Sequence, residues 1–179
     1  MSLRGCTRLT HSETVLEQAY ILAREDPDLK DIASRIDTLF FLATPHRGAD
    51  LAGTLTNVLK VCFGQKHYVT ELDRNSASLQ SIDDSFRYFA HDLQLWSFYE
   101  TVPSSLPLGN SLIVEKESAT LGLPKERVFL LNADHRAICK FENPTDANYK
   151  TLRNAFITTI DSIQAAGTFP IERRYNSMY

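Results

Sequence analysis

His135 sits in the stretch Ala133-Asp134-His135-Arg136. A histidine titrates near neutrality, so it can take a proton and return it at pH 7. As the base of an acyl-transfer site it needs a nucleophile to activate and a carboxylate to hold its ring and fix its tautomer. Glu100 directly follows the apolar run Leu95-Trp96-Ser97-Phe98-Tyr99 and is one candidate for that acid. Glu115, Glu117 and Asp134 are rivals, and Glu115 also ends an apolar run. The bland alternatives are a surface histidine and an exposed glutamate opening a loop.

A second group of residues is Thr44-Pro45-His46-Arg47-Gly48. Pro45 fixes its own φ and bars its predecessor from helical conformation, so the preceding strand must stop there. Gly48 permits a tight path into the next helix. The stretch reads as a rigid strand-to-helix corner or as the wall of a substrate pocket.

The nucleophile is the missing part. A serine hydrolase of the α/β type holds its serine in a Gly-x-Ser-x-Gly turn between strand and helix. No such turn occurs. The nearest stretch, Thr10-His11-Ser12-Glu13-Thr14, has threonines at both glycine positions. There is no phosphate loop, no Rossmann glycine pattern and no local His/Cys spacing for a metal, so no cofactor and no metal are expected. His67 and His91 read as solvated, and Cys139 as a small packed residue.

These residues need a scaffold. Apolar residues at helical spacing predict a helix over 13–25, with Val15, Leu16, Ala19, Leu22 and Ala23 as its inner stripe, and residues 1–12 as an irregular segment. Asp26-Pro27 interrupts, and 28–34 adds a turn or two. Residues 36–43 predict a buried strand, and 49–62 and 76–93 predict helices, the latter through Leu79, Ile82, Phe86, Phe89 and Leu93. Residues 95–99, 112–115 and 128–131 predict three more strands, with 101–110 as a loop. A long amphipathic helix over 145–165 carries Leu152, Phe156, Ile160 and Ile163, and a tail or linker follows from Gly167. Alternating helices and apolar strands predict a mostly parallel sheet flanked by helices, an α/β fold. In such sheets chemistry gathers beyond the carboxyl ends of the strands, where Thr44–Gly48, Glu100 and His135 all fall.

The bulk composition excludes several classes. Of the 179 residues, 43% are hydrophobic and 23% charged, which is ordinary for a globular domain. The net charge of −3 gives no reason to expect nucleic acid or an anionic membrane as partner. No apolar run is long enough to span a bilayer, and the first residues lack a secretory pattern. Cys6, Cys62 and Cys139 make no disulfide framework, which fits reduced cysteines and a cytoplasmic protein.

Taken as a string, these motifs resemble a known family. Phe41-Leu42-Ala43-Thr44-Pro45-His46-Arg47-Gly48-Ala49-Asp50-Leu51-Ala52, then Ser97-Phe98-Tyr99-Glu100-Thr101, then Ile113 to Ala119 with Leu121-Gly122-Leu123-Pro124, then Ala133 to Phe141, look like successive signatures of a fungal α/β-hydrolase-like domain. That lipase-like domain is related to serine-active-site-containing and GPI-inositol-deacylase-like hydrolases, and in filamentous fungi it often precedes NACHT or NB-ARC domains in NLR-like repeat proteins. The likeness runs from about Val15 to about Ile160. It implies that His135 is the catalytic histidine, that Glu100 is its acid, and that Thr44, Pro45, His46, Arg47 and Gly48 line the substrate pocket.

The family's Gly-His-Ser-Leu-Gly-Gly elbow should precede the first helix, where His11-Ser12 looks like a shortened remnant. The expectation is therefore a partial α/β-hydrolase fold over 13–166 lacking its elbow half: a fragment, a mispredicted gene model or a decayed copy. Two functions follow. One is a Ser-acid-His esterase or lipase acting on an ester or lipid-like substrate, impaired because nucleophile and oxyanion donors are missing. The other is a non-catalytic signalling or interaction module that meets a protein partner, or itself, through an open sheet edge.

Overall fold

The computed structural model describes residues 6–46, 81–106 and 109–166. The chain divides into two compact units, Met1–Glu142 and Asn143–Tyr179.

In the first unit, α1 spans Cys6–Glu25. It begins seven residues before the expected Glu13, so residues 6–12 are helical and not irregular; nothing between Cys6 and Glu25 is a glycine or proline that would break the helix. Asp26 stops it: its Oδ1 accepts the Asp28 N–H at 2.8 Å, and Pro27 opens a single 3-10 turn, Pro27–Leu29. A short α2, Lys30–Ala33, leads to β1, Thr38–Leu42. Helix α3 is described over 81–89 and runs through a 3-10 turn, Ala90–Asp92, into β2, Gln94–Glu100. Then come β3 (Ser104–Leu106), β4 (Gly109–Ser111) and β5 (Glu126–Leu131).

Strands β1, β2 and β5 form one parallel sheet in the order β1-β2-β5. Leu39 pairs with Leu95 and Phe41 with Ser97; Ser97 pairs in turn with Val128, and Glu100 with Leu131. This is the expected α/β architecture. One face of the sheet offers Leu39, Phe41 and Leu95 to Tyr20 and Ile21 of α1, Ala33 of α2, and Phe86 and Ala90 at the end of α3, which together make the buried core. Ring pairs Tyr20–Phe86 and Phe41–Phe86 meet edge to face at 6.0 Å. The other face stacks Phe40 on Trp96 and Trp96 on Phe129, with the Arg127 guanidinium 4.7 Å from the Trp96 ring centroid.

Three expected elements differ. The loop expected over 101–110 holds an antiparallel ribbon, β3 paired with β4. Residues 112–115 are not a strand, although Ile113 and Val114 are buried. Their N–H groups are given to the Glu100 carboxylate and so are not offered to a neighbouring strand. The strand expected from Val128 begins earlier, at Glu126. That carboxylate accepts the Ser97 hydroxyl at 2.6 Å and the N–H groups of Leu121 and Gly122 at 2.9 and 2.6 Å, which ties the loop before β5 to β2.

The buried stripe of α1 also differs from expectation. Val15, Leu16 and Leu22 are exposed, while Glu17, Tyr20, Ile21 and Ala23 are buried. The helix turns a glutamate toward the core. Cys139, expected to pack inside, is exposed.

The second unit is a helix, α4, Ala147–Ala165. Asp146 caps it, its Oδ1 accepting from Asn148 N–H at 2.7 Å and Tyr149 N–H at 3.3 Å. Its buried residues are Ala155 and Thr159, whereas Phe156 and Ile160 of the expected stripe are exposed. No described helix is long and apolar enough to cross a membrane.

Candidate active site and a second buried histidine

Glu100 is the last residue of β2 and is fully buried. Its Oε1 accepts the N–H groups of Ile113 and Val114, the latter at 2.9 Å. Its Oε2 lies 3.1 Å from Nδ1 of His135. Both carboxylate oxygens are therefore used, and the group is held from two sides.

His135 stands on the turn after β5 and is 6% exposed. That turn is built by Asp134, whose Oδ1 accepts the N–H groups of Arg136 and Ala137 at 3.0 and 2.8 Å. The turn is laced to the end of β2: the Ala133 carbonyl accepts from Thr101 and Val102, and the Thr101 hydroxyl donates to the Leu131 carbonyl at 3.1 Å. A proton on Nδ1 shared with Glu100 would make Nε2 the unprotonated ring nitrogen.

Of the four acids that sequence left open, Glu100 is the one placed beside the imidazole. Glu115 and Glu117 are exposed, and Asp134 is occupied with its own turn. Ser12 lies within α1 and not on a strand-to-helix corner.

The stretch after β1 leaves the sheet at the same carboxyl edge, beside the end of β2. Ala43 has a left-handed φ of 50°, which costs a residue with a Cβ about 1 kcal/mol and bends the chain sharply off the strand. Its N–H donates to the Phe98 carbonyl at 2.7 Å, and the His46 N–H donates to the Ser118 carbonyl at 2.8 Å, so both sides of the corner are fastened. Thr44 is buried and Pro45 half-buried. Arg47 and Gly48 lie outside the described residues, as does the helix expected over 49–62.

His46 does not face solvent. Its ring packs edge to face on Phe41 at 4.5 Å, and its Nδ1 lies 3.0 Å from Glu17 Oε1 and 4.0 Å from Asp83 Oδ1. All three residues are buried. Among the described residues, Glu17 Oε1, Asp83 Oδ1 and His46 Nε2 make no hydrogen bond; the 3.0 Å contact is close enough for an ion pair but poorly aligned for a hydrogen bond. Burial pushes the Asp83 carboxyl up to about 6, with His46 and Arg87 opposing and Glu17 and Asp84 adding to the rise.

Sequence reasoning missed Glu17 and Asp83 altogether. The usable signal was their spacing to core aromatics: Glu17 to Tyr20 and Asp83 to Phe86 each place a carboxylate one turn before a buried ring.

Over 129 residues the chain is 30% identical to protein SERAC1 of Bos taurus, 28% to that of Homo sapiens and 29% to that of Mus musculus. Each alignment covers 70% of this chain but 19% of the relative, so the chain spans about a fifth of the length of these curated relatives. The chain matches no known protein-family profile and no solved structure.

Proposed function

We propose that this domain belongs to the serine-hydrolase type and that Glu100 and His135 are the acid and base of its Ser-acid-His relay, acting on an ester or lipid-like substrate. The observation that carries the reading is the 3.1 Å contact between Glu100 Oε2 and His135 Nδ1, with Oε1 held by two backbone donors. The similarity to SERAC1 and the motif resemblance support the same class.

In that chemistry a serine Oγ attacks the ester carbonyl carbon while its proton passes to Nε2 of His135. Glu100 steadies the imidazolium that forms. Collapse of the tetrahedral intermediate breaks the bond to the alcohol oxygen, and the proton on Nε2 leaves with the alcohol. Water, deprotonated by the same nitrogen, then releases the acid.

The sequence contains no Gly-x-Ser-x-Gly turn, so the chain as given lacks the elbow serine and its oxyanion donors. Each such donor is worth roughly 3–4 kcal/mol of transition-state stabilisation. The chain alone is accordingly close to inactive. A fluorophosphonate probe tests this. The expected result is no labelling of the chain alone, with labelling once an intact Gly-His-Ser-x-Gly-Gly elbow is supplied upstream, lost again in His135→Ala. Labelling of the elbow-bearing protein that survives His135→Ala rules the relay out.

A second reading is a non-catalytic signalling or interaction module of a fungal NACHT-containing, NLR-like cytoplasmic protein. It is favoured by β5, an outer strand of the described sheet that leaves Val128, Phe129 and Leu130 exposed at 37, 39 and 55%. Gel filtration of the chain distinguishes it: self-association that Leu130→Lys abolishes supports the module, and a monomer at all concentrations argues against pairing through that edge.

A further inference from the structure

We propose that Glu17, His46 and Asp83 form a structural site for one divalent transition-metal ion, with Zn²⁺ the best fit. The three residues come from three separate elements: α1, the corner after β1, and α3. One donor atom from each meets the others within 4.8 Å. A tetrahedral ion with bonds of about 2.1 Å holds neighbouring donors roughly 3.4 Å apart. The distances from His46 Nδ1, 3.0 and 4.0 Å, bracket that value.

A second observation points the same way. Glu17 Oε1 and Asp83 Oδ1 are buried polar atoms with no hydrogen bond among the described residues. The side chains of His46 and Glu17 are only 1 and 7% exposed. Two carboxylates brought this close in a core lined by Phe41 and Phe86 repel each other and lack solvation. Besides His46, the Arg87 charge acts on Asp83, and Nη1 of that guanidinium donates to the Leu121 carbonyl. A dication among the three atoms satisfies both oxygens at once and balances their charge. One imidazole and two carboxylates suit Zn²⁺ better than Mg²⁺ or Ca²⁺, which favour oxygen ligands throughout. Depth in the core and origin on three elements assign it a clamping role, fastening α1 and α3 to the corner after β1. The site does not depend on the Glu100–His135 relay.

The test uses the full chain, stripped with a chelator and titrated with ZnCl₂ by calorimetry and with CoCl₂ by visible absorption. The expected result is one equivalent bound, cobalt bands of a four-coordinate site in which a water completes the three protein donors, and a thermal midpoint that rises with zinc. Affinity falls roughly 100-fold or more in E17Q and in D83N. Because replacing a core histidine can unfold the domain, these two isosteric changes carry the decision, with folding checked by circular dichroism. Absence of saturable binding overturns the site. So does binding of unchanged strength in both folded variants, which traces the ion to other histidines or cysteines.

Discussion

Two histidines, His46 and His135, are both buried and both have a carboxylate within 3.1 Å of Nδ1, yet their surroundings differ in kind. At His135 the carboxylate is completed by backbone N–H groups, so every charge has a partner and the ring is aimed. At His46 two carboxylates converge on one ring, and among the described residues Glu17 Oε1, Asp83 Oδ1 and His46 Nε2 are left without hydrogen bonds. A histidine–carboxylate contact alone therefore says little about role. The difference on show is in hydrogen bonding: backbone N–H groups complete the Glu100 carboxylate, whereas Glu17 Oε1 and Asp83 Oδ1 have no hydrogen bond among the described residues.

The largest expected effect tests the relay. In an elbow-bearing form, His135→Ala should slow fluorophosphonate labelling by about 10³-fold or more, measured as a rate against probe concentration. Unchanged labelling breaks the contrast. Next is the structural side of the same acid. Glu100→Ala strands two buried N–H groups and should lower stability by about 2–5 kcal/mol in urea unfolding, while Glu100→Gln, which keeps one oxygen acceptor, should cost less than half of that. Equal losses from the two changes would show that the backbone bonds carry no weight.

A smaller effect sharpens the other site. Without metal, Asp83→Asn removes a buried charge beside Glu17 and should leave stability unchanged or raise it by about 1 kcal/mol. With saturating zinc the same change should be destabilising, and a sign that stays constant across the two titrations contradicts a metal there. The smallest concerns the rival acid. Asp134→Ala should cost about 1 kcal/mol through the lost turn bonds, with less than about a twofold change in labelling of the elbow-bearing form. A large kinetic loss would move the acid's role from Glu100 to Asp134.

The sheet was legible because Leu39, Phe41, Leu95 and Phe98 are apolar in short, bounded runs, and parallel strands buried on both faces read that way. Glu100 and His135 were legible because both fall where strands end. Residues 112–115 misled for a physical reason: an apolar run is the same signal whether its backbone pairs with a strand or with a side chain. The α1 stripe misled because Val15, Leu16 and Leu22 fit a helical face, while the true inner face spends one position on Glu17. The three residues of the second cluster lie far apart in the chain, and only folding brings them within reach of one another, so no spacing rule could join them.

Glu100 occupies the place that an adjoining strand would otherwise fill for Ile113 and Val114. Its removal would unhitch that segment whether or not any substrate is ever turned over. The carboxylate at position 100 therefore has an architectural task, and a part in proton transfer would be added to it rather than replace it.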